Sequence, residues 1–546
     1  MYQISGYKGY GSAGASHKKR ATKGFVAVSG SPKEDIDDNN YTLRQRGRLM
    51  YMGNAVASSA VKTHRTNTVG LGLHLNPRPD MAYLGLSQEE AAEWVNNVKR
   101  EFSLWADKKN TCDATGMNNF YELQQLLLTS WLTSGDVFVL VQSRKPDKFK
   151  PYNLRLKAVE ADLVATPVNA SSLVGLSSGK NPENGNIIHD GVEVDGSGMV
   201  VAYHLRNTYP FEATDTETTW TRIKACGDRT GLPNVLQLMA AERPGQYRGV
   251  SYLAPVIIPL LQTNRYTESE LTAALVDSFF TVYVQTNTAE GENPFNEATP
   301  GGEGNFNNDP NDYEMGPGQV NFLQPGENVV KMDARRPAGG FAGFVEAICT
   351  QVGAALEIPK DILLKSFDSS YSASRGALLE AWKSFRMYRT WFVNDFCNPV
   401  YELWLTEAVA KGRVNAPGFF SDPAVRAAWL NCEWIGPSQG MLDPTKEIEA
   451  EVMACENGFS TREDSALRIN GSDFTSNVEQ LARESELLKN AGLAAETEKS
   501  KEPTKEPEQE PEREDNGEES DNENEDTIKD AEARDFFMAK LKGFMG

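Results

Sequence analysis

Large apolar side chains recur every third or fourth residue in several stretches of the chain, and that spacing predicts amphipathic helices. Trp94, Val98, Phe102 and Trp105 share one face of a helix opened by Ser87, with Glu90 three residues on as a capping box. Phe120, Leu123, Leu127 and Trp131 do the same over 118–134, and Gly135 ends that helix before the apolar run 137–141, which reads as a strand. Upstream, Leu43, Met50 and Val56 interleave with Arg44, Arg46 and Arg48 over 41–60, the pattern of one helix with a basic side. It leads into an extended piece punctuated by Gly70 and Gly72. Residues 155–225 read as short strands, including a hairpin over 191–206 that turns at Asp195-Gly196-Ser197-Gly198.

The second half changes character. Residues 251–285 contain no glycine, and Pro255 and Pro259 fall in the first turns, so one long, largely apolar helix is expected. Glycine, proline and Asn/Asp/Glu crowd 286–318, and a β-rich piece with Val320, Phe322 and Leu323 follows. A second helix is expected over 341–356, broken by Ile358-Pro359 and a Ser/Asp/Tyr cluster. A third starts near Ser374, carries Leu378, Trp382, Phe385, Tyr388, Phe392 and Phe396, and is kinked by Pro399. Residues 412–440 read as a strand-and-loop return. Asp443-Pro444 then starts one terminal helix, a Ser460/Glu463 capping box a second, and 474–489 forms a third.

The charge is uneven. The 546 residues carry a formal net charge of −21, but 501–526 alone hold thirteen Asp/Glu against three Lys/Arg. A surface that grips nucleic acid all over is excluded, while a loose encounter with DNA is not. The first 40 residues, with a basic knot at His17-Lys18-Lys19-Arg20, and the acidic stretch 496–529 lack the apolar groups to form a core and read as flexible. Beyond the acidic stretch, Phe536, Phe537, Leu541 and Phe544 form a short amphipathic peptide, either a hook for a partner or a tail folded onto its own body.

Little in the sequence supports catalysis. Six scattered cysteines form no C-x-x-C pair, and five histidines form no H-E-x-x-H, so no metal site and no cofactor is expected, and a reducing compartment is. There is no P-loop and no segment long and apolar enough to span a membrane. Gly175-Leu176-Ser177-Ser178-Gly179 matches G-x-S-x-G, but the Pro/Asn/Gly-containing run after it predicts a loop where a nucleophile elbow needs a helix. Arg44, Arg46 and Arg48 suit DNA, a neighbouring subunit's carboxylates or plain exposure.

An ordered series of short segments resembles the lambda-type portal proteins of tailed bacteriophages. Arg243-Pro244-Gly245-Gln246-Tyr247-Arg248-Gly249-Val250 leads straight into a long helix. Leu43-Arg44-Gln45-Arg46 and Gly191-Val192-Glu193-Val194-Asp195 precede it. Leu323-Gln324-Pro325-Gly326-Glu327, Leu356-Glu357-Ile358-Pro359, Tyr371-Ser372-Ala373-Ser374-Arg375 and Trp434-Ile435-Gly436-Pro437 come after. The series covers about residues 41–495.

The resemblance implies an α+β fold assembled as a ring, usually of twelve subunits, at one capsid vertex, with double-stranded DNA passing through it without sequence specificity. It implies a flexible arm (1–40), a wing (41–250) with motif residues Arg243, Gln246 and Arg248, a first stem helix (251–285) and a clip (286–335) with Phe322, Leu323 and Glu327. A second stem helix (336–364), a tunnel loop (365–373), a long kinked wing helix with strand return (374–442) and a helical crown (443–495) follow. The acidic tail (496–529) and C-terminal peptide (530–546) fall outside the match. Expected tunnel-loop residues are Lys365, Ser366, Asp368, Ser369, Ser370 and Tyr371. Expected subunit contacts on the stem are Leu260, Leu261, Leu271, Phe279, Phe344 and Val345. Implied partners are the terminase large subunit, head-completion and connector proteins, and the major capsid and scaffold proteins, in the virion and, during assembly, the host cytoplasm. No membrane and no enzymatic activity are implied. The rival expectations are a non-ring virion adaptor or scaffold-type protein, and a hydrolase built on Ser177.

Overall fold

Asn54 divides the first helix. In the computed structural model, which describes residues 15, 20–26, 28–170, 178–212, 216–278, 282–285, 306–307, 320–323, 340–367, 370–441, 443–472 and 474–491, the basic helix expected over 41–60 is two helices. They are α1 (Asp38–Gly53) and α2 (Ala55–Thr68); Asn54 is extended, and its side chain accepts the Ala57 N–H as N-cap of α2. The arm is not loose to its end. Ile36, Asp37 and Asn40 are buried, and the Arg243 guanidinium holds the Asp35 carboxylate and the Gly30 carbonyl.

Two short helices, α3 (Met81–Leu84) and α5 (Lys109–Cys112), flank α4 (Gln88–Ala106), and α6 (Phe120–Ser134) follows. The Ser87/Glu90 capping box forms as its spacing predicts, and Asn119 with Glu122 makes an equivalent one on α6. Strand β1 (His74–Pro77) precedes these helices. The apolar run after Gly135 is β2 (Asp136–Ser143), the centre of an antiparallel sheet between β3 (Leu154–Glu160) and a later strand. A five-stranded meander follows: β4 (Ser178–Lys180), β5 (Ile187–His189), β6 (Val192–Val194), β7 (Val200–Arg206) and β8 (Trp220–Lys224). Asp190-Gly191, both at positive φ, turns β5 into β6, and the Asp195–Gly198 turn joins β6 to β7 as expected. Strand β9 (Val235–Met239) then returns beside β2.

The long helix expected over 251–285 is shorter. A 3-10 turn (Ala254–Val256) leads into α7 (Ile257–Ser278), and β10 (Val282–Gln285) is already strand, since its Val-Tyr-Val sequence favours extended backbone. Strands β10 and β11 (Phe306–Asn307) both pair in parallel with β12 (Val320–Leu323). The helix expected over 341–356 is α8 (Phe341–Ala355), and it breaks at Ile358-Pro359 as expected, where Glu357 takes a φ of 53°; the rest of the second stem segment, up to 364, is a separate short helix, α9 (Lys360–Leu364). Helix α10 (Tyr371–Phe392) begins three residues before the expected Ser374. It passes through a π-helical turn (Val393–Cys397) into α11 (Asn398–Ala410), and Pro399, where a kink was expected, stands in the first turn of α11.

Helix α12 (Pro423–Leu430), capped by Asp422, lies where only strand and loop were expected; its eight residues are too short for a periodic signal. β13 (Cys432–Ile435) pairs antiparallel with β1. Three helices close the described chain: α13 (Pro444–Glu456) capped by Asp443, α14 (Arg462–Asn470) and α15 (Phe474–Asn490). The cap of α14 is Thr461, not Ser460, because its hydroxyl receives the Asp464 N–H. The chain forms two compact units, Met1–Val478 and Glu479–Gly546, and the described part of the second is the C-terminal end of α15.

The aromatic stripe of the third helix is core. Phe385, Phe392 and Phe396 are buried in one cluster with Trp105, Phe120 and Trp404, and Phe120 stacks on Phe396 with centroids 5.6 Å apart. His64 lies inside this cluster, with ring contacts of 4.7–4.9 Å to Tyr252, Phe385 and Tyr388 and no hydrogen-bond partner on either nitrogen. Burial pulls its pKa down to about 3. The unfolded chain takes up this proton near the ordinary value of 6.5 and the fold does not, so stability is fully present above that pH and falls on acidification towards 3. Asp395 acts in the opposite sense, because burial raises its carboxyl to about 6 and the fold gains relative stability as pH falls from there towards 4. The difference between the wild-type and His64→Phe stability profiles therefore isolates the histidine. That difference is expected to change by about 1.4 kcal/mol per pH unit between pH 6 and 4.5, measured by urea unfolding.

Candidate assembly surface and DNA conduit

The segment ahead of α7 is a buried clamp. Arg248 is fully buried; its Nε and Nη2 donate to the two Asp136 oxygens (2.6 and 3.2 Å), and Nη1 sits 2.9 Å from the Asp190 carboxylate. The same guanidinium donates to the Val164 and Ala161 carbonyls (2.9 Å each) and stands over the Phe138 ring. Burial opposes both charges, but the carboxylates outweigh it for Arg248, and Arg248 and Arg44 outweigh it for Asp136, so both groups stay ionised. Gly135 and Gly249 allow this closeness, since a Cβ on Gly249 would fall inside the Gly135 carbonyl. Gln246 straps the turn, accepting the Glu242 and Arg243 N–H groups (2.8 and 3.1 Å) and donating to the Arg248 carbonyl (2.9 Å).

Arg44 and Arg48 belong to the same network and are paired with carboxylates of their own subunit. Arg44 is buried against Asp190 (2.5 Å) and Asp162 (3.7 Å), while Arg48 pairs with Glu160 (2.9 Å) and Asp162. Arg46 alone of the three is exposed. Local spacing suggested a basic face on α1 because the carboxylate partners lie more than 100 residues away.

A second buried hub holds the meander. Glu193, fully buried on β6, accepts from Arg222 (2.8 and 2.9 Å), Asn181, Asn184 and Asn186, and contacts His204 Nε2 at 2.9 Å. Burial acts to raise its pKa, but these hydrogen bonds outweigh it and hold the carboxyl far below its ordinary range. A carboxylate so fully engaged is a structural anchor. Among the described residues no group of three or more His, Cys, Asp or Glu is placed to hold a metal ion, and no helix is long and apolar enough to cross a membrane. All six cysteines are free. Ser177 lies outside the described residues, and Ser178–Lys180 after it is an edge strand, not a helix.

The expected stem contacts separate into two kinds. Leu260 is 1% exposed and already buried in its own subunit, so it is not available to another copy. Leu261 and Leu271 are 37% and 66% exposed, Phe344 is 46% exposed and Val345 is half-buried. Helices α7 and α8 meet through Tyr266, whose ring lies 5.4 Å from Phe341 and 4.9 Å from Phe344. Phe279 lies outside the described residues. The side chains of Phe322 and Leu323 in β12, all of Glu327, and Phe536, Phe537, Leu541 and Phe544 lie outside them too.

Of the expected tunnel loop, 365–367 and 370–373 are described. Lys365 ends α9 in the left-handed region (φ 57°), and Lys365, Ser366 and Ser370 are exposed. Asp368 and Ser369 lie outside the described residues, and Tyr371 is the first residue of α10 rather than part of the loop.

Missed by the sequence were Asp136, Asp162, Asp190 and Glu193. One signal was present. Asp136 stands directly before the continuous apolar run Val137-Phe138-Val139, and a carboxylate drawn into the core with such a strand needs a cation beside it.

The geometry defines an α+β fold, with its buried arginines engaged within the subunit and apolar residues exposed on the paired helices α7 and α8. The family model of phage portal proteins of the lambda family matches residues 18–389. Portal protein B of Escherichia phage lambda is 23% identical over 514 residues, covering 90% of this chain and 92% of that one. The portal protein of Escherichia phage N15 is 23% identical over 507 residues, covering 89% and 92%. The probable portal protein of Halomonas phage phiHAP-1 is 24% identical over 474 residues, covering 85% and 84%. Among solved structures, the neck of a native GTA particle computed with C12 symmetry matches with a TM-score of 0.36 and 14% identity over 80% of this chain and 94% of that one. The chain belongs to the lambda family of phage portal proteins.

Proposed function

We propose that copies of this chain, twelve as the family resemblance implies, close into a ring at one vertex of a phage capsid and form the channel through which double-stranded DNA enters and leaves. The family match over 18–389, with two relatives aligned along 92% of their length, carries this reading. Two features of the subunit support it. A closed head-to-tail ring needs two different complementary surfaces on each copy, and the exposed leucines of α7 are suited to one. A conduit must not hold its polyanion, and Arg44, Arg48 and Arg248 are neutralised by carboxylates of the same subunit. The chain makes or breaks no bond; terminase large subunit, head-completion and connector proteins, and capsid and scaffold proteins dock on the ring, in the virion and earlier in the host cytoplasm. Negative-stain imaging of the purified protein tests this: rings with an axial hole are expected, and compact particles without one would sink it.

The loop 365–370 is proposed to face the DNA. Ser366→Lys adds one cation per subunit at an exposed position. Every additional phosphate that a lysine neutralises steepens the fall of log affinity with log salt by about 0.9. DNA ejection from particles carrying this variant is expected to slow at low salt and recover at high salt. Ejection indifferent to salt would remove the loop from the channel.

A further inference from the structure

The seam between α8 and α10 carries a groove of about 560 Å³, floored by Gly353, Ala354, Ile358 and Met387. In its wall Ser384 is 5% exposed, and its Oγ has no hydrogen-bond partner. At the rim stands Glu357, held in the left-handed region next to Leu356, whose carbonyl accepts the Tyr252 hydroxyl. The Glu357 carboxylate is exposed and makes no hydrogen bond or ion pair among the described residues.

Helix α7 offers the complement. Ile258, Leu261 and Arg265 are spaced i, i+3 and i+7, so they form one ridge, with Gln262 beside Leu261. All four are exposed. Arg265 is the one cation of α7, and its side chain has no partner among the described residues. None of the ridge residues lines the groove, so each subunit presents an apolar ridge bearing a cation and a separate apolar-floored groove; of the charges lining it, Lys360 is paired with Glu346 and Lys383 with Glu380, which leaves the Glu357 carboxylate as the one without an ion pair among the described residues. A heterologous contact requires two such surfaces on one chain.

We propose that the Ile258–Leu261–Arg265 ridge of one subunit seats in the α8–α10 groove of the next. Leu261 covers the floor, and Arg265 meets Glu357. This rests on the ring reading above and names the surfaces that close it.

The experiment is mass photometry of the full chain and of Arg265→Glu, Glu357→Arg and Ala354→Trp at low salt, with circular dichroism to check the fold. Each charge reversal places like charges at every contact, and the ring fraction is expected to fall at least about tenfold. Mixing the two reversed proteins one to one is expected to restore rings to within about threefold of wild type, because in an alternating ring every 265–357 pair again has opposite charges. An intramolecular pair could not be rescued by mixing. Ala354→Trp, which fills the groove from an exposed position, is expected to lower the ring fraction without any charge change. Wild-type rings with unaffected variants, or no rescue on mixing, would overturn the contact alone. A wild-type chain that stays monomeric overturns the ring reading and this contact together.

Discussion

Arg248→Met is expected to strip away a large part of the subunit's stability. The substitution removes a guanidinium with no exposed surface and strands the Asp136 carboxylate, also fully buried, in an apolar setting. Breaking a buried pair by removing one partner costs about 3–5 kcal/mol, against a total stability on the order of 5–15 kcal/mol. Here Asp190 and the Val164 and Ala161 carbonyls lose a donor as well. Urea unfolding should show the loss directly, and soluble yield should fall with it. Two companion variants fix the cause. Arg248→Lys keeps the charge but lacks the fork that serves both Asp136 oxygens, so it is expected to recover only part of the loss. Asp136→Asn combined with Arg248→Met removes both charges and is expected to be more stable than Arg248→Met alone, because an unpaired buried charge costs more than an absent pair. If the single variant unfolds at the wild-type urea concentration, the clamp is not what joins the sheet to α7.

Leu261→Asp is expected to abolish ring assembly while the subunit stays folded. Leu261 is exposed, so the substitution costs the monomer little, within about 0.5 kcal/mol. In the ring it would place an unpaired carboxylate in every subunit contact, a penalty of several kcal/mol that repeats at each contact. Leu271→Asp is expected to act in the same way. The neighbouring Leu260→Asp should behave differently, because Leu260 is buried within its own subunit and the charge would damage the fold itself. Mass photometry with circular dichroism separates the two phenotypes, folded monomer for Leu261→Asp and loss of structure for Leu260→Asp. Normal rings from Leu261→Asp would exclude that face of α7 from the interface.

The difference between Leu260 and Leu261 shows how far the sequence could be read. Composition marks both as apolar residues of one helix, and only the packing of α7 on its own subunit says which is covered. The arginines of α1 make the same point more sharply. Their spacing suggested a basic face, yet Arg44 is buried on Asp190, a turn residue 146 positions later. Contacts of that separation leave no trace in local periodicity. Legible in advance were the features fixed by neighbours along the chain. The Ser87 capping box, the helix ended by Gly135 with its following strand and the Asp195–Gly198 turn all formed as their spacing implied. The helix expected over 251–285 was overextended because its apolar content continued into β10, and apolar content alone does not tell helix from strand.

From the sequence alone came the local elements, the mixed α and β class, the uneven acidity and the ordered run of family segments, each of which depends on residues close together in the chain. The tertiary structure decided which charges neutralise one another inside the subunit and which apolar side chains are left over for a neighbour. Burial and ion pairing are set by what the fold brings together from distant positions, and a single residue's chemistry does not determine either.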